Sequence, residues 1–79
     1  MLSKVTSNRL DRLVDEAFNR SGSGRQYRML DLPAIHRVGR QAGEQVIAGR
    51  PNGPIRWDGV KRAVDQAIDG ACTKFEIRS

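Results

Sequence analysis

The stretch Leu32–Gly53, LPAIHRVGRQAGEQVIAGRPNG, decides the fold because two different structures fit it. With a turn at Gly39 it would be a helix-turn-helix of the DNA-binding kind. Without that turn it is one helix that begins near Pro33 and ends at Gly49. Proline suits the first helical turn, where its missing N–H would have no partner, and glycine commonly terminates a helix.

The phase of the apolar residues separates these two structures. At about 100° per residue, a single helix over 32–48 places the apolar residues and both glycines on one side. These residues are Leu32, Ile35, Val38, Gly39, Ala42, Gly43, Val46 and Ile47. Glycine inside a helix is unfavourable by up to about 1 kcal/mol relative to alanine, so two glycines on one face indicate a packing purpose. The pattern favours one helix in which Gly39 and Gly43 allow a neighbouring helix to approach closely.

Two further segments show the same periodicity and predict helices over about 6–20 and 58–70. The stripes are Leu10, Leu13, Val14, Ala17 and Phe18 in the first, and Val60, Ala63, Val64, Ala67, Ile68 and Ala71 in the second. Thr6 or Ser7 can cap the first helix and Asp58 the last. Trp57 is in phase with the last stripe and is predicted to anchor the core. The sequence SGSG predicts a flexible joint over 21–25.

The last seven residues, TKFEIRS, alternate apolar and polar side chains around Phe75 and Ile77. Alternation is typical of an extended segment, and this one could pair with residues 26–30. Seventy-nine residues are too few for more than one domain. We therefore predict a mainly α fold: a single three-helix domain over 1–79 with a short extended C-terminal segment. An α+β fold with a two-stranded sheet is the alternative.

The positive charge is unevenly distributed along the chain. The net charge is +5, and 11 of the 14 basic residues are arginine. The segments 6–20 and 58–71 carry net charges of zero and −1, whereas residues 21–57 carry +4. The sequence thus places the excess on the second helix and its flanking loops.

Arginines interleaved with an aromatic residue suit nucleic acid, because guanidinium groups neutralise phosphates and rings stack on bases. The candidate side chains are Arg25, Tyr27, Arg28, Arg37, Arg40, Arg50 and Arg56. One hypothesis is a small accessory or regulatory factor that contacts nucleic-acid phosphates. The alternative is an inhibitor or adaptor, of the kind phages and mobile elements encode, that docks this face on an acidic protein. A homodimer that pools apolar surface is a further expectation for so small a core.

Several kinds of chemistry have no support in the sequence. His36 is the single histidine and has no metal-ligand residue three or four positions later, and Cys72 is the single cysteine. No nucleophile lies in a catalytic turn, and no glycine-rich loop has phosphate-loop spacing. We expect no enzyme, metal or cofactor, and we expect Cys72 to be a small buried hydrophobe. Because no segment resembles a signal peptide or a membrane span, we also expect a cytoplasmic protein that does not enter the membrane.

Overall fold

The computed structural model describes residues 2–50 and 52–77. Its three α-helices are α1 (Lys4–Ser21), α2 (Leu32–Ala48) and α3 (Trp57–Phe75), and a single 3-10 turn (Met29–Asp31) leads into α2. The described part of the chain contains no sheet; its one β-type pairing is an isolated antiparallel bridge between Tyr27 and Glu76. The prediction of a mainly α fold is confirmed.

Helix α1 begins earlier than its apolar stripe suggests. Ser3 is the cap, rather than Thr6 or Ser7, and its side-chain oxygen accepts the backbone N–H of Thr6 at 3.2 Å. This bond satisfies one of the N–H groups that have no partner in the first helical turn. The helix ends where the N–H of Gly22 donates to the carbonyl of Phe18 at 2.7 Å.

Helix α2 is continuous through Gly39, so a helix-turn-helix with its turn at that residue is excluded. Gly39 and Gly43 are both buried. A Cβ at Gly39 would lie 2.7 Å from Cγ1 of Ile68, and a Cβ at Gly43 would lie 3.1 Å from Cγ2 of Val64. The two glycines therefore allow α3 to pack directly against the backbone of α2.

The predicted extended C-terminal segment is not confirmed, because α3 continues past Gly70 as far as Phe75. Gly70 is exposed on the outer face of the helix, whereas Ala71 and Cys72 are buried. Burial of these two side chains continues the apolar stripe and outweighs the weak helix propensity of one glycine. Beyond the helix, the N–H of Ile77 donates to the carbonyl of Gln26 at 2.8 Å, and residues 78–79 lie outside the described part.

The contacts of the two buried glycines establish the directions of the helices. Gly43 faces Leu10 of α1 and Val64 of α3, whereas Gly39 faces Val14 and Ile68. From Gly39 to Gly43 the residue numbers rise along α2, whereas the numbers of the contacted residues fall in both α1 and α3. Helix α2 is therefore antiparallel to both. One end of the bundle therefore holds the start of α1, the end of α2 and the start of α3.

The core lies along the middle of this bundle and consists mostly of residues from α1 and α3. Its buried hydrophobic residues are Leu10, Val14, Ala17, Ile35, Val60, Val64, Ile68, Ala71 and Cys72. Trp57 packs against this core, as predicted, and the free thiol of Cys72 is fully buried. No helix among the described residues is both long enough and apolar enough to cross a membrane.

Candidate functional site

The side chains predicted to form one binding face lie in three separate parts of the bundle. Arg25, Tyr27 and Arg28 precede α2, Arg37 and Arg40 lie along it, and Arg50 and Arg56 follow it. The 17 residues of α2 span about 25 Å. The first and last groups therefore lie at opposite ends of the molecule, and the structure does not bring the seven side chains together.

Two of the predicted arginines hold the bundle together. Arg40 pairs with Asp11 of α1, and its Nε lies 3.0 Å from Oε1 of Glu44. Arg25 lies 3.7 Å from the carboxylate of Glu76, and its side chain, like that of Arg40, is less than one-third exposed. These guanidinium groups have carboxylate partners within the chain, so they are less available to an outside anion.

Tyr27 is a packing residue in this structure. Its ring centroid lies 5.5 Å from that of Phe18, in the tilted arrangement that aromatic pairs favour. Its hydroxyl group is buried and has no hydrogen-bond partner among the described residues. Burial, reinforced by the neighbouring Cys72 thiol and opposed by Arg25, raises the pKa of Tyr27 to about 12. A ring held in this way is not free to stack on a base.

The other end of the bundle groups four arginines near Trp57 and the loop that precedes it. Arg50 and Arg56 line one depression of the loop between α2 and α3, and Arg56 and Arg62 line the next depression together with Trp57. The guanidinium carbon of Arg9 lies 4.3 Å from the centroid of the Trp57 ring. We call this group, Arg9, Arg50, Arg56 and Arg62 with Trp57, the basic end.

The charge balance of the folded chain agrees with this grouping. The bundle can be divided into two parts across its long axis, at the point where Leu10, Gly43 and Val64 contact one another. The part that contains the basic end (residues 2–10, 43–50 and 52–64) holds six basic and two acidic residues. The remaining described residues hold seven of each. All the excess charge of the described chain therefore lies in one part of the bundle.

The backbone adds to this positive potential. Both α1 and α3 begin at the basic end, and each helix N-terminus carries a partial positive charge. The C-terminus of α2 also lies there, and its partial negative charge offsets one of these two positive charges. The residue that precedes α3, Arg56, provides no side-chain cap for the first turn. Asp58 lies in that turn and is the carboxylate that reduces the potential most directly.

Arg9 and Arg62 were missed from the sequence because α1 and α3 are close to neutral when each is counted as a whole. Counting only the beginning of each helix would have found them. Residues 4–10 of α1 contain Lys4 and Arg9 without a carboxylate, and residues 57–64 of α3 contain Lys61 and Arg62 against Asp58 alone. When two parallel helices each carry positive charge near the N-terminus, packing them side by side brings these charges to one end of the bundle.

The described residues do not assemble a metal site. Within this part of the chain no three His, Cys, Asp or Glu side chains come together as a metal site would require. The single histidine, His36, lies 3.4 Å (Nε2) from Oδ1 of Asp15 on α1. No protein-family model, curated protein or solved structure matches this chain.

Proposed function

We propose that this chain is a small, non-enzymatic nucleic-acid-binding protein, an accessory or regulatory factor whose basic end contacts phosphates. The observation that carries the proposal is the grouping of Arg9, Arg50, Arg56 and Arg62 in the part of the bundle that holds all the excess charge. A cluster of basic side chains binds the closely spaced phosphates of a nucleic-acid backbone, because the side chains neutralise phosphates and release the counterions bound there.

The exposure of these four arginines and their lack of ion pairs among the described residues support the proposal. All four are exposed, and none forms an ion pair with a carboxylate among the described residues. Arg9 lies over the face of Trp57, an arrangement that restricts the guanidinium group and leaves the N–H groups at its edge free to donate. A restricted guanidinium group loses less entropy when it binds a phosphate.

The aromatic side chains favour backbone contacts over base stacking. All four of them, Phe18, Tyr27, Trp57 and Phe75, are half-buried and pack against the core, and Arg9 covers one face of Trp57. Stacking on unpaired bases requires an accessible ring. We therefore expect binding that depends little on sequence and does not prefer single strands over a duplex.

The strength of binding should depend steeply on salt. Four phosphate contacts give a slope of about −3.6 for the logarithm of affinity against that of salt concentration, a loss of about 150-fold between 50 and 200 mM. Without specific base contacts we expect a Kd of roughly 1–100 μM at physiological salt.

The test is a fluorescence-anisotropy titration with random-sequence duplex DNA, single-stranded DNA and RNA at both salt concentrations. The variant Arg56→Ala/Arg62→Ala removes two charges from the basic end. The matched control, Arg37→Ala/Lys74→Ala, removes two exposed charges elsewhere; neither forms an ion pair among the described residues. Circular dichroism verifies that both variants fold.

We expect the basic-end variant to bind more weakly and to lose about 1.8 units of slope, leaving a salt dependence of about 12-fold. The control should keep a slope near that of the unmodified protein. Equal losses in the two variants would show that net charge, and not the basic end, determines binding. Absence of binding to all three nucleic acids at 50 mM salt would refute the proposal and favour an acidic protein partner.

A further inference from the structure

The end of the bundle opposite the basic end exposes large apolar side chains. Met29 is 82% exposed, Leu30 is 91% exposed and Leu32 is 38% exposed. We call these three residues, on the 3-10 turn and at the start of α2, the projection. Single exposed apolar residues scattered over a surface are common in soluble proteins. Several exposed apolar residues close together are instead typical of a contact surface.

A groove lies next to this projection, between α1 and α2. Its volume is about 360 Å³, and Phe18 and Leu32 supply its apolar lining. Asp15, Asn19 and His36 supply its polar groups. One end of the molecule thus carries both an apolar projection and an open apolar groove, with Leu32 belonging to both.

The charges beside the two features are opposite in sign. Arg28, which directly precedes the projection, is exposed and has no ion pair among the described residues. The side chain of Asp15 is 68% exposed, and its one ion-pair partner among the described residues is His36, at 3.4 Å. The charges beside the two features therefore complement each other.

We propose that a second copy of this chain occupies the groove. Leu30 enters the groove of the partner subunit, and Arg28 approaches Asp15 of the partner subunit. Because the projection and the groove lie side by side, the exchange can be mutual about a two-fold axis, as in most homodimers. Gly39 and Gly43 are buried within each subunit, so the dimer contact does not involve the paired glycines.

The affinity should be low because the contact is small. Stable interfaces bury roughly 800 Å² on each partner, more than one projection and one groove provide, so we expect a Kd on the order of 10–100 μM. The contact lies at the end opposite the basic end, so dimerisation leaves both basic ends accessible. The proposal does not depend on nucleic-acid binding.

Sedimentation equilibrium of the full chain between about 5 μM and 1 mM tests this proposal. The average mass of the unmodified protein should rise from one subunit towards two, and Leu30→Asp should remain monomeric. The matched control is Val5→Asp, since Val5 is 79% exposed at the other end of the bundle. It should dimerise as the unmodified protein does. A monomeric mass at 1 mM, or a Leu30→Asp variant that still dimerises, would overturn the proposal.

A charge exchange tests the alignment of the two subunits. Arg28→Asp and Asp15→Arg should each weaken dimerisation by at least about threefold, because each places like charges opposite one another. The double variant should recover most of the lost affinity. Failure of the double variant to recover would show that these two residues do not meet and would refute the proposed contact.

Discussion

Replacement of Gly39 by alanine tests whether the close approach of α2 and α3 is essential. The new Cβ would lie 2.7 Å from Cγ1 of Ile68, closer still to its Cδ1, and 3.3 Å from Cγ1 of Val14. Ile68 and Val14 are both fully buried, so neither can move into solvent. Either a side chain leaves its preferred rotamer or the two helices separate.

The magnitude is the difference between two opposed effects. Alanine improves helix propensity by about 1 kcal/mol relative to glycine. Inserting a methyl group into a packed core is unfavourable by about 1–3 kcal/mol, and the short distances here favour the upper part of that range. We expect Gly39→Ala to lower the free energy of unfolding by about 1–2 kcal/mol. For a domain of this size, that lowers Tm by roughly 5–15 °C.

Gly70→Ala is the matched control, because Gly70 also lies inside a helix but a Cβ there would meet no atom within 4 Å. The propensity effect then acts alone, and we expect a gain of about 0.5–1 kcal/mol. Thermal and urea unfolding followed by circular dichroism measure both variants. If Gly39→Ala were as stable as Gly70→Ala, the helices would have room to separate, and close packing would not be the reason for glycine at position 39.

Two further substitutions test how the ionisation of Tyr27 and Asp65 affects the stability of the fold. The pKa of Tyr27 is raised to about 12, so its contribution to stability is complete below pH 10 and is lost as the pH rises towards 12. Tyr27→Phe should reduce this alkaline loss and, by removing a buried hydroxyl without a partner, leave stability at pH 7 unchanged or raise it by about 1 kcal/mol; a loss above 1 kcal/mol in urea unfolding would contradict this expectation. Burial would raise the pKa of Asp65, but hydrogen bonds and charge from Lys61 and Arg20 outweigh burial and lower it. Its contribution is therefore present above about pH 4 and is lost as the pH falls further. Asp65→Asn should be less stable by about 0.5–1 kcal/mol at pH 7 and should lose less stability on acidification, and an unchanged acid profile would count against it.

The spacing of the apolar residues is enough to predict the three helices and the face that each one buries. The stripes through Leu10 and Val64 predict amphipathic helices because a fixed angle per residue turns spacing into a face. The same phase argument assigned Gly39 to the inside of a helix. The sequence-based prediction was wrong at the end of α3, where the alternation around Phe75 favoured an extended segment but the helix continues. Local propensity favoured that segment, but burial of Cys72 among side chains distant in sequence decided the helix.

Which charges lie together depends on how the helices pack, and the sequence pattern does not specify this. Counting along the chain placed the excess on residues 21–57, but the antiparallel course of α2 separates Arg28 from Arg50 by the length of a helix. The same packing brings Arg9 and Arg62, more than fifty positions apart, to the same end of the bundle around Trp57. Periodicity shows which side of a helix is buried, because that depends on neighbours within one turn or two. The partner of an exposed side chain depends on contacts between helices, which local spacing does not specify.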